Sequence, residues 1–223
     1  DEKRVLDAEQ RYKDRILGKP RKHRKEEKKS FDGMLSALGL IRTFTDELNN
    51  VHVTLTESGK KFCLYENPII NEDYSSKALS AEESHFLVTE VLLQRDLEYL
   101  LMKTAITKVK EHSKETAAKL ADELDIAFKS TINDYVHLES TDDSIAADVK
   151  DQIISKTEDI KNENAILSAD GKKEKQTPVE AYRVATMGRL AEMGVLNWTI
   201  EKDASSSYDI ADQVLADKIL ATL

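Results

Sequence analysis

The chain is poor in cysteine, proline and glycine, and it has no long apolar run. Its single cysteine, Cys63, excludes an internal disulfide. Seven glycines and three prolines, with 34% charged and 40% hydrophobic residues, predict a mostly helical protein. No apolar run approaches the roughly 20 residues that span a bilayer, and no signal-peptide pattern opens the chain. We therefore expect a cytoplasmic protein of one or two domains, without a membrane partner and with Cys63 buried as a structural thiol.

Motifs of catalytic and phosphate-binding sites are also missing. The sequence contains no glycine-rich phosphate loop, no Ser-x-x-Lys and no Gly-x-Ser-x-Gly. The five histidines are scattered, without a second metal ligand at a useful spacing. We expect no enzyme, no metal site and no cofactor.

One short pattern occurs near both ends of the chain. Leu35-Ser-Ala-Leu-Gly-Leu-Ile41 is matched by Leu190-Ala-Glu-Met-Gly-Val-Leu196, and the alternation of Val53 and Leu55 by Tyr208 and Ile210. Every second member follows its first by 155 positions, so the match needs no gap. A duplicated unit at a fixed offset indicates a repeated structural element.

Within each copy, the pattern predicts a helix end, a glycine turn and a β-hairpin. Gly39 falls where a helix ends at positive φ, and Leu40 begins an extended run. Residues 46–50 form a polar tip, and Val51, Val53 and Leu55 alternate as the return strand. Thr56 is the N-cap of a following helix. Residues 201–207 form the tip of the second copy.

This order of elements resembles the winged helix-turn-helix superfamily, over residues 21–65 and over residues 86–125 joined to 178–212. The resemblance implies a mostly α fold with small β-hairpin wings, as tandem winged-helix-like units with a helical-hairpin insertion. We expect one unit over residues 1–75 and a second over residues 76–223. The insertion would cover residues 126–177, and a C-terminal helix residues 211–223.

In the first unit, the sequence predicts a helix over Glu2–Leu17 and another over Arg21–Leu38. A complete winged helix has two helices before its recognition helix, and only one precedes Arg21–Leu38 here. Either this unit has lost a helix, or the chain begins inside it.

In the second unit, Ser80 and Glu83 form a capping box before a strongly apolar helix that Gln94-Arg95-Asp96 interrupts. Ser113 is the expected cap of the next helix. Residues 126–177 then carry two apolar stripes, which predict either a helical hairpin packed within the chain or a dimerisation arm. A homodimer would form through this insertion or through the C-terminal helix.

The expected recognition helix begins at Thr177-Pro178, a cap followed by proline at the first helical position. Val184, Met187, Leu190 and Met193 are assigned to the core, as is Trp198 on the first wing strand. Other faces would carry the groove-reading candidates Tyr182, Arg183, Thr186 and Arg189.

Charge is distributed unevenly along the chain. Residues 1–29 hold twelve Lys and Arg against seven Asp and Glu, a net charge of +5, whereas the whole chain has −9. Such a basic segment can contact phosphates, although a solvated helix face or linker is the alternative. DNA binding in a transcription regulator or related factor is the favoured function, through Arg21, Lys22, Arg24, Lys25 and Lys202 with the four residues of the recognition helix. The alternative is a winged-helix protein-interaction or scaffold module with an acidic surface.

Overall fold

The computed structural model describes residues 2–13, 16, 18, 20–22, 29–31, 33–48, 50–74, 77–112, 116–138, 140–200 and 206–221. The protein is 64% helical, and the described residues form three two-stranded antiparallel sheets. The expected mostly α fold with small β-hairpins is confirmed. The tandem winged-helix organisation stays a prediction.

The chain divides into two compact units. The N-terminal unit comprises Asp1–Arg95 with Glu192–Gly194, and the C-terminal unit comprises Asp96–Ala191 with Val195–Leu223. The sequence predicts a boundary after residue 75, whereas residues 76–95 lie in the N-terminal unit. Buried hydrogen bonds hold them there, because Asn67 Nδ2 donates to Ala78 O at 2.9 Å and to Glu83 Oε2 at 2.9 Å.

The N-terminal unit alternates helices with two hairpins. Its elements in chain order are α1 (Glu2–Tyr12), β1 (Pro20–Lys22), β2 (Lys29–Phe31), α2 (Met34–Ala37), β3 (Ile41–Thr45), β4 (Val51–Leu55), α3 (Glu57–Phe62) and α4 (Ala81–Phe86). A π-helical turn, Leu87–Val91, and a 3-10 turn, Leu92–Gln94, extend α4. The Ser80–Glu83 capping box is confirmed.

The helix expected over Arg21–Leu38 is wrong. Its first part forms strand β1, which pairs with β2, and among the described residues of this range only Met34–Ala37 is helical. As a helix, the basic segment would place Arg21 beside Lys25 and Arg24 beside Lys28, four residues apart, and like charges at that spacing destabilise helices. The segment also lacks an apolar stripe with which a helix could pack.

The C-terminal unit contains the longest helices. Its elements are α5 (Asp96–Glu111), α6 (Ala117–Val136), α7 (Asp143–Val149), α8 (Lys156–Ala169), α9 (Pro178–Glu192), β5 (Leu196–Ile200), β6 (Ser206–Ile210) and α10 (Gln213–Ala221), with a π-helical turn, Lys150–Ser155, between α7 and α8. Leu101, Met102, Leu120, Phe128 and Leu190 are buried in its core. Thr116 caps α6; the expected cap Ser113 lies outside the described residues.

The insertion packs within its own unit. Helix α6 runs through residue 126, where the insertion was expected to begin. Helix α7 and the π-helical turn after it pack against α6, and Lys129 of α6 pairs with Glu158 of α8 at 2.7 Å. Ile153 is 4% exposed and Thr157 is fully buried. Dimerisation through this arm or through α10 stays a prediction.

The repeated hairpins are confirmed in geometry as well as in sequence. Sheet β3–β4 pairs Ile41 with Leu55, and sheet β5–β6 pairs Leu196 with Ile210. Gly39 has φ +68° and Gly194 has φ +72°, the left-handed conformation that glycine adopts without steric cost. The same hydrogen bond closes each glycine turn, at 2.8 Å before β3 and at 2.9 Å before β5.

The two copies diverge where the hairpin meets the next helix. In the first copy, Thr56 Oγ1 caps α3 by accepting from Gly59 N at 3.1 Å. In the second copy, Ala211 occupies the position of Thr56, and Asp212 caps α10 by accepting from Leu215 N at 3.0 Å. The second junction is thus one residue longer.

Candidate functional site

Helix α9 carries four of the residues expected to contact DNA, and its first turn is built as the sequence predicted. Thr177 Oγ1 accepts from Glu180 N at 3.2 Å, and Glu180 Oε2 accepts from Thr177 N at 2.9 Å. These two bonds satisfy amides that the start of a helix leaves without partners. Pro178, the first helical residue, has no amide hydrogen to satisfy.

Both arginines of α9 are held by carboxylates of neighbouring helices. Arg183 Nε donates to Asp125 Oδ1 on α6 at 2.7 Å, and the two side chains are 21% and 22% exposed. Arg189 pairs with Glu98 on α5, and these side chains are 15% and 14% exposed. Both guanidinium groups are neutralised by carboxylates of the same unit. Neither arginine is therefore available to bind an anion of another molecule, such as a phosphate.

Electrostatics at the first pair show how strongly burial acts there. Burial raises the pKa of Asp125, and the Arg183 guanidinium opposes that rise. Desolvation of the carboxylate is therefore the larger effect, as expected when an ion pair forms away from water. Arg183 stabilises a carboxylate that would otherwise be costly to bury.

The other two candidates on α9 also face inward. Thr186 is fully buried, and its hydroxyl has no hydrogen-bond partner among the described residues. Tyr182 is half-buried, and burial, followed by the nearby Glu98 carboxylate, raises the pKa of its hydroxyl. The expectation that these residues lie away from the core is wrong for Thr186. The core assignment of Val184 is also wrong, because this side chain is 53% exposed.

The outward face of α9 is instead small and uncharged. Ala181 and Val184 are exposed, and Ala185 and Gly188 are partly exposed. A Cβ added at Gly188 would meet no atom within 4 Å. The positions recur at three and four residues, so they form one stripe along the helix. We call Ala181, Val184, Ala185 and Gly188 the α9 stripe. In the sequence, the spacing of these small residues could have indicated this face of the helix.

The second hairpin presents an aromatic pair. Trp198 on β5 and Tyr208 on β6 are directly opposite each other, and their rings stack with centroids 6.2 Å apart. Trp198 is 44% exposed, so its expected place in the core is wrong. It pairs across the strands and keeps one side in water, as aromatic residues do on a half-buried hairpin. Lys202 lies outside the described residues.

The basic N-terminal segment is only partly described. Arg21 and Lys22 lie on β1, opposite Ser30 and Lys29 of β2. Arg24 and Lys25 lie outside the described residues. The structure therefore brings Arg21 and Lys22 onto a hairpin of the N-terminal unit, and Arg183 and Arg189 into ion pairs of the C-terminal unit.

The described ranges were also predicted to hold no metal centre and no membrane-spanning helix. No group of three or more His, Cys, Asp or Glu side chains there could hold a metal ion. No helix in the same ranges is both long and apolar enough to cross a membrane. Cys63 is exposed, so its expected burial is wrong: it is the C-cap of α3, where Phe62 takes the buried position.

Comparison of the chain with protein-family models, with curated proteins and with solved structures found no match.

Proposed function

We propose that the chain is a winged-helix protein-interaction module, with the α9 stripe as its docking face. The order of elements in the C-terminal unit supports the winged-helix assignment: α5, an extended residue at Thr116, α6, the recognition helix α9, and the hairpin β5–β6. Thr116 forms an antiparallel bridge with Ser207 on β6. This bridge places an extended residue between α5 and α6 beside the hairpin.

One observation carries the choice of a protein partner over DNA: the exposed face of α9 has no cation. A helix in the major groove depends on Arg and Lys for phosphate and base contacts. Here Arg183 and Arg189 are occupied by Asp125 and Glu98. The whole C-terminal unit, Asp96–Ala191 with Val195–Leu223, has 16 Lys and Arg against 24 Asp and Glu. That net charge repels phosphates.

The chemistry of the α9 stripe suits an apolar helix of a partner protein. Small side chains let two helix axes approach closely, and Val184 supplies an apolar contact at the centre of the stripe. The net negative charge of the C-terminal unit favours a partner with basic residues around its apolar face, because complementary charge speeds association and selects partners.

The test is site-specific crosslinking. A photoreactive phenylalanine analogue replaces Ala181, and in a matched control it replaces Lys172, which is exposed on the loop after α8. We expect one protein from the source cell lysate to be crosslinked at Ala181 but not at Lys172, and Val184→Glu to abolish that product without altering circular dichroism. Equal crosslinking at both positions, or a product unaffected by Val184→Glu, would contradict the proposal.

DNA binding through the basic segment is the second candidate. Its support is the β1–β2 hairpin, which carries Arg21 and Lys22 within a segment of net positive charge; two-stranded ribbons can enter the major groove. Fluorescence anisotropy with a mixed-sequence duplex, at low and at physiological salt, separates the candidates. Salt-dependent binding that is lost in Arg21→Ala/Lys22→Ala and kept in Val184→Glu would favour DNA binding. Our proposal predicts no such binding.

A further inference from the structure

The outer edge of β4, the return strand of the first hairpin, has open backbone hydrogen-bonding groups. Thr56 N donates to Leu40 O, and Asp46 N donates to Asn50 O, both at 3.0 Å. These bonds fix which residue pairs exchange hydrogen bonds with β3, because such pairs alternate along an antiparallel ladder. The N–H and C=O groups of Val51, Val53 and Leu55 therefore point away from β3. Within the described ranges, no strand or bridge pairs with that edge.

The second hairpin shows what occupies the equivalent edge. Sheet β5–β6 has the same ladder phase, with Ala211 N donating to Val195 O at 2.9 Å. Its outer edge is bridged by Thr116 opposite Ser207, and Ser207 corresponds to His52 of the first hairpin at the repeat offset. The outer edge of the return strand can therefore pair with a further extended segment. Within the described residues, such a segment is present beside β6 and not beside β4.

Strand β4 also lacks the features by which proteins protect an edge. Its sequence, Val-His-Val-Thr-Leu, contains no lysine, proline or carboxylate, and its register with β3 has no bulge. Val53 is 45% and Leu55 43% exposed. A regular edge that carries no lysine or carboxylate and exposes apolar side chains is a template for another strand.

We propose that β4 pairs with β4 of a second copy of this chain, antiparallel about a two-fold axis at Val53. The strand is complementary to itself in that register. Val53 lies opposite Val53 of the second copy, and Val51 opposite its Leu55, so the outward amides and carbonyls of each copy meet. The apolar side chains share one face, because residues two apart in a strand point to the same side.

Charge supports a second copy as the occupant. His52 is the one ionisable residue of β4, and in this register it faces Thr54 of the second copy rather than another His52. Beyond the strand, Asp46 contacts His52 at 2.9 Å, and Glu57 contacts Lys60 at 2.6 Å. Between the two paired strands, the two-fold register therefore brings no like charges together, which suits an isologous contact.

The experiment measures association of the full chain by analytical ultracentrifugation over a wide concentration range. We expect a monomer–dimer equilibrium whose dissociation constant rises about tenfold or more in Val53→Lys, because the two introduced charges face each other across the axis. Thr54→Lys is the matched control: it puts the same charge on the same strand but opposite His52, on the other face, and should have a smaller effect.

Charge pairing distinguishes the possible occupants. An equimolar mixture of Val53→Lys and Val53→Glu should restore the dimer, because residue 53 of one copy lies opposite residue 53 of the other. In the mixed dimer a lysine would then face a glutamate across the axis. A chain that stays monomeric throughout would overturn the proposal, as would a dimer that Val53→Lys leaves unchanged or that the mixture fails to restore after both single variants have lost it. Circular dichroism of each variant shows whether the hairpin is still folded.

Discussion

Replacement of Gly59 by alanine is the sharpest test of how the first hairpin is joined to α3. Gly59 is buried in the first turn of α3. An alanine Cβ there would lie 2.0 Å from the carbonyl oxygen of Leu40, whereas real Cβ atoms essentially never approach a neighbour within 3.0 Å. That carbonyl cannot move freely, because it accepts from Thr56 N at 3.0 Å and from Thr56 Oγ1 at 3.2 Å.

The expected cost follows from these contacts. Relieving the clash requires α3 to move away from Leu40, and overpacking of this kind costs about 1–3 kcal/mol. The movement also weakens the Thr56 cap, which contributes about 1 kcal/mol. Alanine recovers up to about 1 kcal/mol of helix propensity relative to glycine. We therefore expect Gly59→Ala to destabilise the N-terminal unit by about 2 kcal/mol.

Gly188→Ala is the matched control for this prediction. Its Cβ would enter open space, so the same substitution should stabilise α9 by about 0.5–1 kcal/mol. The measurement is the free energy of unfolding in urea, with amide hydrogen exchange assigning each change to its unit. A Gly59→Ala variant as stable as the wild type would refute the account of this junction.

Three further predictions concern polar groups inside the units. Arg183→Ala leaves the Asp125 carboxylate without its guanidinium and should cost about 1–3 kcal/mol; a double-mutant cycle with Asp125→Ala, measured by urea unfolding, should show positive coupling. Thr186→Val removes a buried hydroxyl that has no partner among the described residues, so the thermal midpoint should stay level or rise; a fall would show an unrecognised bond. Burial raises the pKa of Glu83 above 4.5, so the folded state holds this proton more tightly than the unfolded state does. Stability should fall as pH rises from 4.5 to the raised value, and Glu83→Gln should remove that slope from the urea midpoints.

The hairpins were predictable because their signals are local. Each hairpin is indicated within one short stretch by a glycine at a helix end, by alternating apolar residues and by a polar tip. Because the two copies match at a fixed offset, each one supports the assignment of the other. The Ser80–Glu83 box and the Thr177-Pro178 start are local in the same way. Each depends on residues at most three positions apart, so no tertiary information is needed.

The inward face of α9 was not predictable from the same kind of evidence. Arg183 pairs with Asp125, 58 residues away in the sequence, and Arg189 pairs with Glu98, 91 residues away. No local sequence pattern predicts such distant partners. Val184 and Thr186 have nearly the same shape, so hydrophobicity assigned the wrong one to the core. The β1–β2 hairpin was missed because its charged sequence has neither helical nor strand periodicity.

The buried threonine of the helical arm has a consequence for how this chain can vary. Thr157 Oγ1 accepts from Val179 N at 3.4 Å, so an amide of the first turn of α9 relies on a residue that a shorter relative would not have. Deleting the helical arm, α7 and α8, between α6 and Pro178 would expose that amide and loosen the start of α9. Loss of the arm and redesign of the first turn of α9 would therefore have to occur together.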